Sequence, residues 1–137
     1  IIDSEAIDFM STHHDAYAQL VDPSNVSLIK ETEERLSLAG RVYIPENRID
    51  EVVRDIHDGD IIAATSTLAG LDVAHTGLAL WINETLHLLH APLVGEAVQI
   101  SETSLAERID RIEGQDGIII ARPQDEPRRE APSAREG

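Results

Sequence analysis

The 137-residue sequence contains no cysteine. That excludes disulfides, leaves the redox compartment open, and removes any thiol nucleophile from the chain itself. Lysine is almost missing too, with Lys30 standing alone. Asp and Glu number 26 against 11 Lys plus Arg, a formal charge of −15. Four arginines and four acidic residues lie from 122 onward, so the excess sits in 1–121, with 22 acidic and seven basic residues. Such a body repels phosphate backbones, which argues against a nucleic-acid partner and reads most simply as a solvated acidic surface. No apolar run is long enough to span a bilayer, and no basic segment followed by an apolar core marks an export signal. The sequence opens Ile-Ile-Asp rather than with methionine. A processed or truncated piece is therefore expected, in which the missing signal says nothing about destination. No internal repeat is visible.

The length suits one domain, expected over 1–122 with a tail over 123–137. Ser4 is positioned to cap a short helix over 4–10, with Ile7 and Met10 at helical spacing. Tyr17 and Leu20 anchor a polar stretch. Asp22-Pro23 is a helix start and Gly40 a helix end, bracketing a helix that carries Val26 and Ile29 on one side. The 41–45 piece is extended. Asn47 is expected to cap a helix whose stripe is Ile49, Val52, Val53 and Ile56, with His57 at its end. Beyond a loop over 92–95, 96–101 reads as a strand and Ser104/Glu107 as a capping box opening a helix over 105–112. Gln115-Asp116-Gly117 reads as a turn before an inner strand over 118–121, which Pro123 stops. The remainder, rich in Pro, Arg, Glu and Ser, has little to bury and reads as disordered. Helices early and clustered strands later predict an α+β domain: a mainly antiparallel sheet with helices packed on one side.

The organising stretch is 59–91. Strands are expected over 61–65, 75–82 and 86–91, the last two joined by Asn83-Glu84 as a hairpin. Alternation puts His75 on one face with Gly77 and Ala79, and His90 on one face with Leu86 and Leu88. Whether the two rings meet depends on register, which stays open at this level. His75, His87 and His90 raise the possibility of zinc, but on a strand His87 and His90 have opposite parity. At most His75 and one other histidine meet, so no metal and no cofactor is expected. Asp60 and Asp72 read as turn and loop hydrogen-bonding residues rather than catalytic ones.

Several blocks in order carry a family resemblance: Phe9-Met10-Ser11-Thr12-His13-His14-Asp15-Ala16-Tyr17, then Gly59-Asp60-Ile61-Ile62, then Leu71-Asp72-Val73-Ala74-His75-Thr76-Gly77, then His87-Leu88-Leu89-His90-Ala91. Together, over roughly 7–122, they resemble the NlpC-type cell-wall cysteine peptidases, in particular the N-acetylmuramoyl-L-alanine amidase-like branch. The resemblance implies a papain-like fold of which the N-terminal part, with the nucleophile cysteine, is missing here. It implies that His75 is the catalytic base and acid, that His90 orients it, and that Ser11 and His13 line the substrate cleft. It also implies peptidoglycan or a muropeptide as partner and an extracytoplasmic setting for the whole protein. The chain by itself is then expected to be catalytically dead, with an uncovered apolar patch near Gly77 and Ala79. The other class left open is a non-catalytic domain of the same fold that binds peptidoglycan or a protein.

Overall fold

The computed structural model describes residues 1–3, 5–93 and 96–125. Its centre is a six-stranded sheet in the order β3 (Ile44–Pro45), β8 (Gln115–Ala121), β4 (Ile61–Ser66), β5 (Val73–Ile82), β6 (Thr85–His90) and β7 (Gln99–Ile100). Every neighbouring pair is antiparallel. A separate ribbon pairs β1 (Ile2–Asp3) with β2 (Arg41–Val42). The helical elements are α1 (Phe9–Thr12), α2 (Pro23–Ala39), α3 (Ile49–Val52) and α4 (Leu105–Arg111), with single 3₁₀ turns between them.

Alternation explains the core. The face carrying Ile62 and Ala64 of β4, Ala79 of β5, Leu86 and Leu88 of β6 and Ile118 of β8 packs against Ile49, Ile56, Leu105 and Ile109. These residues are all nearly or fully buried, and each large one contributes about 1.5–3 kcal/mol on burial. Asn83 and Glu84 take φ of 46° and 65°, the doubly left-handed pair that a two-residue hairpin turn requires. Leu78 therefore faces Leu89, and Ala79 faces Leu88.

Several local expectations are replaced by long-range bonds. The helix expected over 4–10 begins only at Phe9, and its expected cap, Ser4, lies outside the described residues. Ile7 N–H instead donates to Ser37 Oγ at 2.8 Å, and Met10 N–H to Glu33 Oε1 at 2.9 Å. The segment's amides are thus spent on α2. Asp22 caps α2 by accepting from Ser24 N–H at 2.9 Å, and Gly40 ends it at φ 67°. The buried residue of α2 is Glu33, while Leu28 and Leu38 are exposed. This helix packs chiefly on α1 and the 18–21 turn rather than on the sheet, so only α3 and α4 fulfil the expected helical cover.

The helix expected from Asn47 to Ile56 is broken into a 3₁₀ turn, the single α turn α3 and a second 3₁₀ turn, and Asn47 makes no cap. Its last carbonyls are claimed from outside: Asp55 O by Arg122 Nη2 and Ile56 O by Trp81 Nε1, both at 2.8 Å. The turn expected at 115–117 is strand. Gly114, at φ 92°, makes the turn, and Asp116 is fastened by Thr65 Oγ1–H to its Oδ1 at 2.6 Å and Tyr43 O–H to its carbonyl at 2.7 Å. Gly117 has no room for a β-carbon because Ile44 O and the Tyr43 ring abut it. The strand expected over 96–101 shortens to β7. Ser104 caps α4, its Oγ accepting from Glu107 N–H at 3.2 Å. The expected tail, from 126 on, and residues 94–95 of the expected loop lie outside the described residues.

Asp60 closes the lower end of the sheet. It is 2% exposed and accepts His57 N–H at 2.8 Å, Arg122 Nε–H at 2.8 Å and Arg122 Nη2–H at 2.7 Å. The Arg122 guanidinium holds its carboxyl down at about 2, against the burial that would raise it.

Candidate functional site

Both β5 and β6 place one histidine near the same end of the core-facing side. The ladder between the two strands runs from Ile82↔Thr85 to Leu78↔Leu89 and stops short of both histidines. On its other flank β5 stays paired with β4, where Ile62 faces Gly77 and Ala64 faces His75. Between Ala64 and Thr65 the register skips a residue, so Ala74 forms a bulge next to His75. A bulge locally increases strand twist and re-aims the neighbouring side chain.

The outcome is a direct contact: His75 Nε2 lies 2.9 Å from His90 Nδ1, with the rings edge to face at 5.0 Å. Gly77 makes the approach possible. A β-carbon there would meet Leu88 Cδ1 at 2.7 Å and the Leu89 carbonyl oxygen at 2.8 Å, so a larger residue would push the two strands apart. His90 is buried and His75 half-buried. Both border a groove of about 630 Å³ whose walls include Val73, Thr76, Ala91 and Val98.

One nitrogen of the contact donates and the other accepts, so the pair needs at least one neutral ring. Burial lowers the affinity of both rings for a proton, and the positive charge of Arg108 on α4 adds to it. Two neutral imidazoles can share this contact in either of two tautomers. With the proton of His75 on Nε2 and donated to His90, Nδ1 of His75 keeps a free lone pair and has no hydrogen-bond partner among the described residues. That nitrogen can accept a proton, and the resulting imidazolium is stabilised through the same bond to His90.

His87 lies on the other side, as parity requires, with Nδ1 2.9 Å from Ser101 O. Asp72 pairs with Arg41 at 2.6 Å. Among the described residues no group of three or more His, Asp or Glu side chains is assembled to hold a metal ion.

Ser11 and His13 stand elsewhere. Both ride on or just after α1, where His13 stacks on Phe9 with ring centroids 4.1 Å apart and Ser11 Oγ–H donates to Asp8 O at 3.2 Å. The Phe9 ring lies near the loop leading into β5: a β-carbon added at Gly70 would lie 3.6 Å from its Cδ2. The structure thus brings His75 and His90 together and leaves Ser11 and His13 on a neighbouring surface, with Ser11 lining a separate groove beside α2. Of the patch expected near Gly77 and Ala79, Ala79 is buried and Leu88 lies against Gly77, while Gly77 itself is half-buried and lines the groove at His75. The exposed apolar row is on the opposite face, where Ile61, Leu78 and Ile100 are each about 40% exposed (41%, 41% and 42%).

Arg108 and the Ala74 bulge are absent from the sequence reading. A signal for Arg108 existed. It falls three residues after Leu105, four before Ile112 and beside Ile109, within the stripe that α4 turns to the core.

Comparison with known proteins bears on this site. The family model described as AmiA-like, N-acetylmuramoyl-L-alanine amidase-like, matches residues 2–118. A solved N-acetylmuramoyl-L-alanine amidase from Bacteroides uniformis is 34% identical with a TM-score of 0.75, the match covering 88% of this chain and 52% of that one. A Bacteroides fragilis protein provisionally described as a xylanase is 33% identical with a TM-score of 0.73, over 88% of this chain and 53% of that one. The chain therefore spans about half the length of these structures. No curated protein matches it. Among the described residues no helix is long and apolar enough to cross a membrane.

Proposed function

This chain belongs to the N-acetylmuramoyl-L-alanine amidase-like family, and from that membership we propose that it supplies the histidine half of a cysteine-dependent amidase acting on peptidoglycan. The observation that carries the reading is the 2.9 Å contact from His75 Nε2 to His90 Nδ1, which leaves His75 Nδ1 free at the groove. The thiol comes from a segment outside these 137 residues, as the zero cysteine count requires of this mechanism. The overall arrangement is then the papain-like one of NlpC-type enzymes.

In the proposed reaction His75 Nδ1 takes the proton of that thiol. The thiolate adds to the lactyl carbonyl of N-acetylmuramoyl-L-alanine. The imidazolium returns its proton to the leaving amine of the alanine as the C–N bond breaks, giving a thioester. Water, deprotonated by His75, then releases the free acid and restores the thiol. His90 fixes the tautomer and shares the charge on the imidazolium, acting through His75 rather than on substrate. Ser11 and His13 are proposed to contact the glycan or peptide farther along, next to the loop leading into β5. Peptidoglycan lies outside the cytoplasmic membrane, so the whole protein is placed there.

Glycoside hydrolysis fits less well. It needs two carboxylates about the scissile bond, and among the described residues the groove at His75 is lined by no Asp or Glu. The absence of cysteine favours one other reading, a domain that binds muropeptides without cutting them. Digestion of purified muropeptides by the full-length gene product, followed by mass analysis, separates the two. The amidase reading expects new alanine amino ends and lactyl carboxyl ends, and a loss of about 10³-fold or more in His75→Ala. Intact muropeptides, or an unaffected His75→Ala variant, would remove it.

A further inference from the structure

We propose that Thr65 is a positioning residue for His75: its hydroxyl, held by Asp116, fixes the paired bulges that aim the His75 ring at His90. The kinetic part of this role deepens the amidase reading above and rests on it; the ring contact does not.

Both flanks of β4 are irregular at the same level. On the β5 side Ala64 faces His75 but Thr65 faces Val73, which leaves Ala74 as the extra residue. On the β8 side Ala64 faces Ile118 but Ser66 faces Gln115, so Asp116 and Gly117 together stand opposite Thr65. Thr65 thus meets an extra residue on each side, and it directly follows the residue that pairs with His75.

A bulge interrupts the ladder and bends the strand that carries it, so something must hold it in preference to regular pairing. Here a side-chain network does. Thr65 Oγ1–H donates to Asp116 Oδ1 at 2.6 Å, and Tyr43 O–H donates to the Asp116 carbonyl oxygen at 2.7 Å. A short hydroxyl-to-carboxylate bond is of the strong, charge-assisted kind. Burial and the neighbouring Asp116 charge push the Tyr43 hydroxyl up, so it remains a donor at neutral pH. Gly117 makes the approach possible, because a β-carbon there would run into the Ile44 carbonyl and the Tyr43 ring. Thr65 is buried, and its β-branched side chain has few rotamers. Its bond to Asp116 therefore fixes the backbone direction as well as the hydroxyl.

The entrance to β5 is tied at its far side too. Arg41 pairs with Asp72 at 2.6 Å, and Ser66 N–H donates to the Asp72 carbonyl oxygen at 3.2 Å. The stretch from Asp72 to His75 then runs between two fixed points with one residue more than a regular ladder takes. Ala74 absorbs the surplus; it is small and exposed, so no packed side chain is displaced.

His75 depends on this arrangement because β6 does not hold it. The β5–β6 ladder ends at Leu78↔Leu89, short of both histidines, whereas the β4–β5 ladder continues through Ala64↔His75. The β4 side therefore sets the backbone that carries the ring. Regular pairing of Thr65 with Ala74 would recover ladder bonds and remove the local twist, turning His75 Nε2 away from its 2.9 Å contact with His90 Nδ1.

The test uses the full-length gene product with isotope-labelled histidines, read by the coupling of the His75 and His90 ring nitrogens in nitrogen NMR spectra and by muropeptide cleavage. Thr65→Val keeps the shape and removes the hydroxyl. It should abolish the coupling and lower kcat by about 10- to 100-fold with little change in KM. Thr65→Ser keeps the hydroxyl and should retain the coupling and most of kcat. Asp116→Ala removes the acceptor in place of the donor and should match Thr65→Val, which decides the matter where Thr65→Val does not fold. Coupling that persists in folded Thr65→Val or Asp116→Ala overturns the assignment, even if urea unfolding shows the variant destabilised, because the network then serves stability alone. Equal loss in Thr65→Ser and Thr65→Val overturns it as well, since the hydroxyl is then not what acts. A wild type without the coupling has the same meaning. Failure of the wild type to cleave muropeptides refutes the amidase reading instead, and the NMR comparison still decides the role of Thr65.

Discussion

Replacing Asp60 by asparagine removes one charge at the most interlocked point of the fold and leaves the volume unchanged. The Asp60 carboxylate receives three donors, from His57 and twice from Arg122, while 2% exposed. Its proton affinity falls from 3.8 to about 2, and that shift corresponds to about 2.5 kcal/mol of native-state stabilisation. The Arg122 side chain is 44% exposed, so screening trims the ionic part to about 2 kcal/mol. An asparagine also accepts at one atom instead of two, leaving a donor unmet at a cost of about 1 kcal/mol. Asp60→Asn is therefore expected to lose about 2–3 kcal/mol near neutral pH. The sign of the pH dependence follows from the lowered affinity. The unfolded chain binds the proton more tightly, so the contribution is complete above about pH 4 and disappears as pH falls toward 2. Near pH 3 about half of the ionic part remains. Urea unfolding of wild type and variant at pH 6.5 and pH 3 measures this as a narrowing gap. A gap below about 0.5 kcal/mol at pH 6.5, or one independent of pH, would refute the reasoning.

Gly77→Ala should destabilise the chain by about 1–3 kcal/mol, because the added carbon meets a backbone carbonyl that cannot rotate away. It should also weaken the coupling of the His75 and His90 ring nitrogens in nitrogen NMR spectra. Both imidazoles bind protons less tightly than the usual 6.5. The native state thus carries fewer protons than the unfolded one just below that pH, and stability should rise with pH through this window and level off above it. The slope should vanish in a His75→Asn, His90→Asn double variant. Ser101→Ala strips the buried Leu88 amide of its acceptor and should cost about 1–3 kcal/mol in chemical denaturation. Glu33→Ala removes the acceptor of the Met10 and Ser11 amides. It should speed hydrogen exchange at 10–11 by about tenfold or more while leaving the β4–β5 amides unchanged.

The parts of this molecule legible in the chain were those set by neighbours a few residues apart. Asp22-Pro23 and Gly40 bracket α2 because caps act within one helical turn. Asn83-Glu84 makes the hairpin because two left-handed residues suffice to reverse the chain. Strand parity set His75 on one face with Gly77 and Ala79, set His90 on one face with Leu86 and Leu88, and turned His87 away from His90, since side-chain alternation is a property of the backbone alone. Local pattern failed where a distant group offered a better bond. Ser37 drew the amide of Ile7 away from the expected helix, and Glu33 accepts the first amides of the shortened α1, at Met10 and Ser11. Trp81 and Arg122 claimed the carbonyls that would have continued a helix through Ile56. The pairing of β8 with β3 and β4 turned an apparent Gln115-Asp116-Gly117 turn into strand.

What the sequence alone determined was which residues can share a face and where the chain must reverse. The tertiary structure alone decided the register that sets His75 2.9 Å from His90, the bulge at Ala74 and the unpaired Arg108 beside them. Register and docking depend on packing between segments far apart in the chain, and the energy that selects them exists only once those segments are in contact.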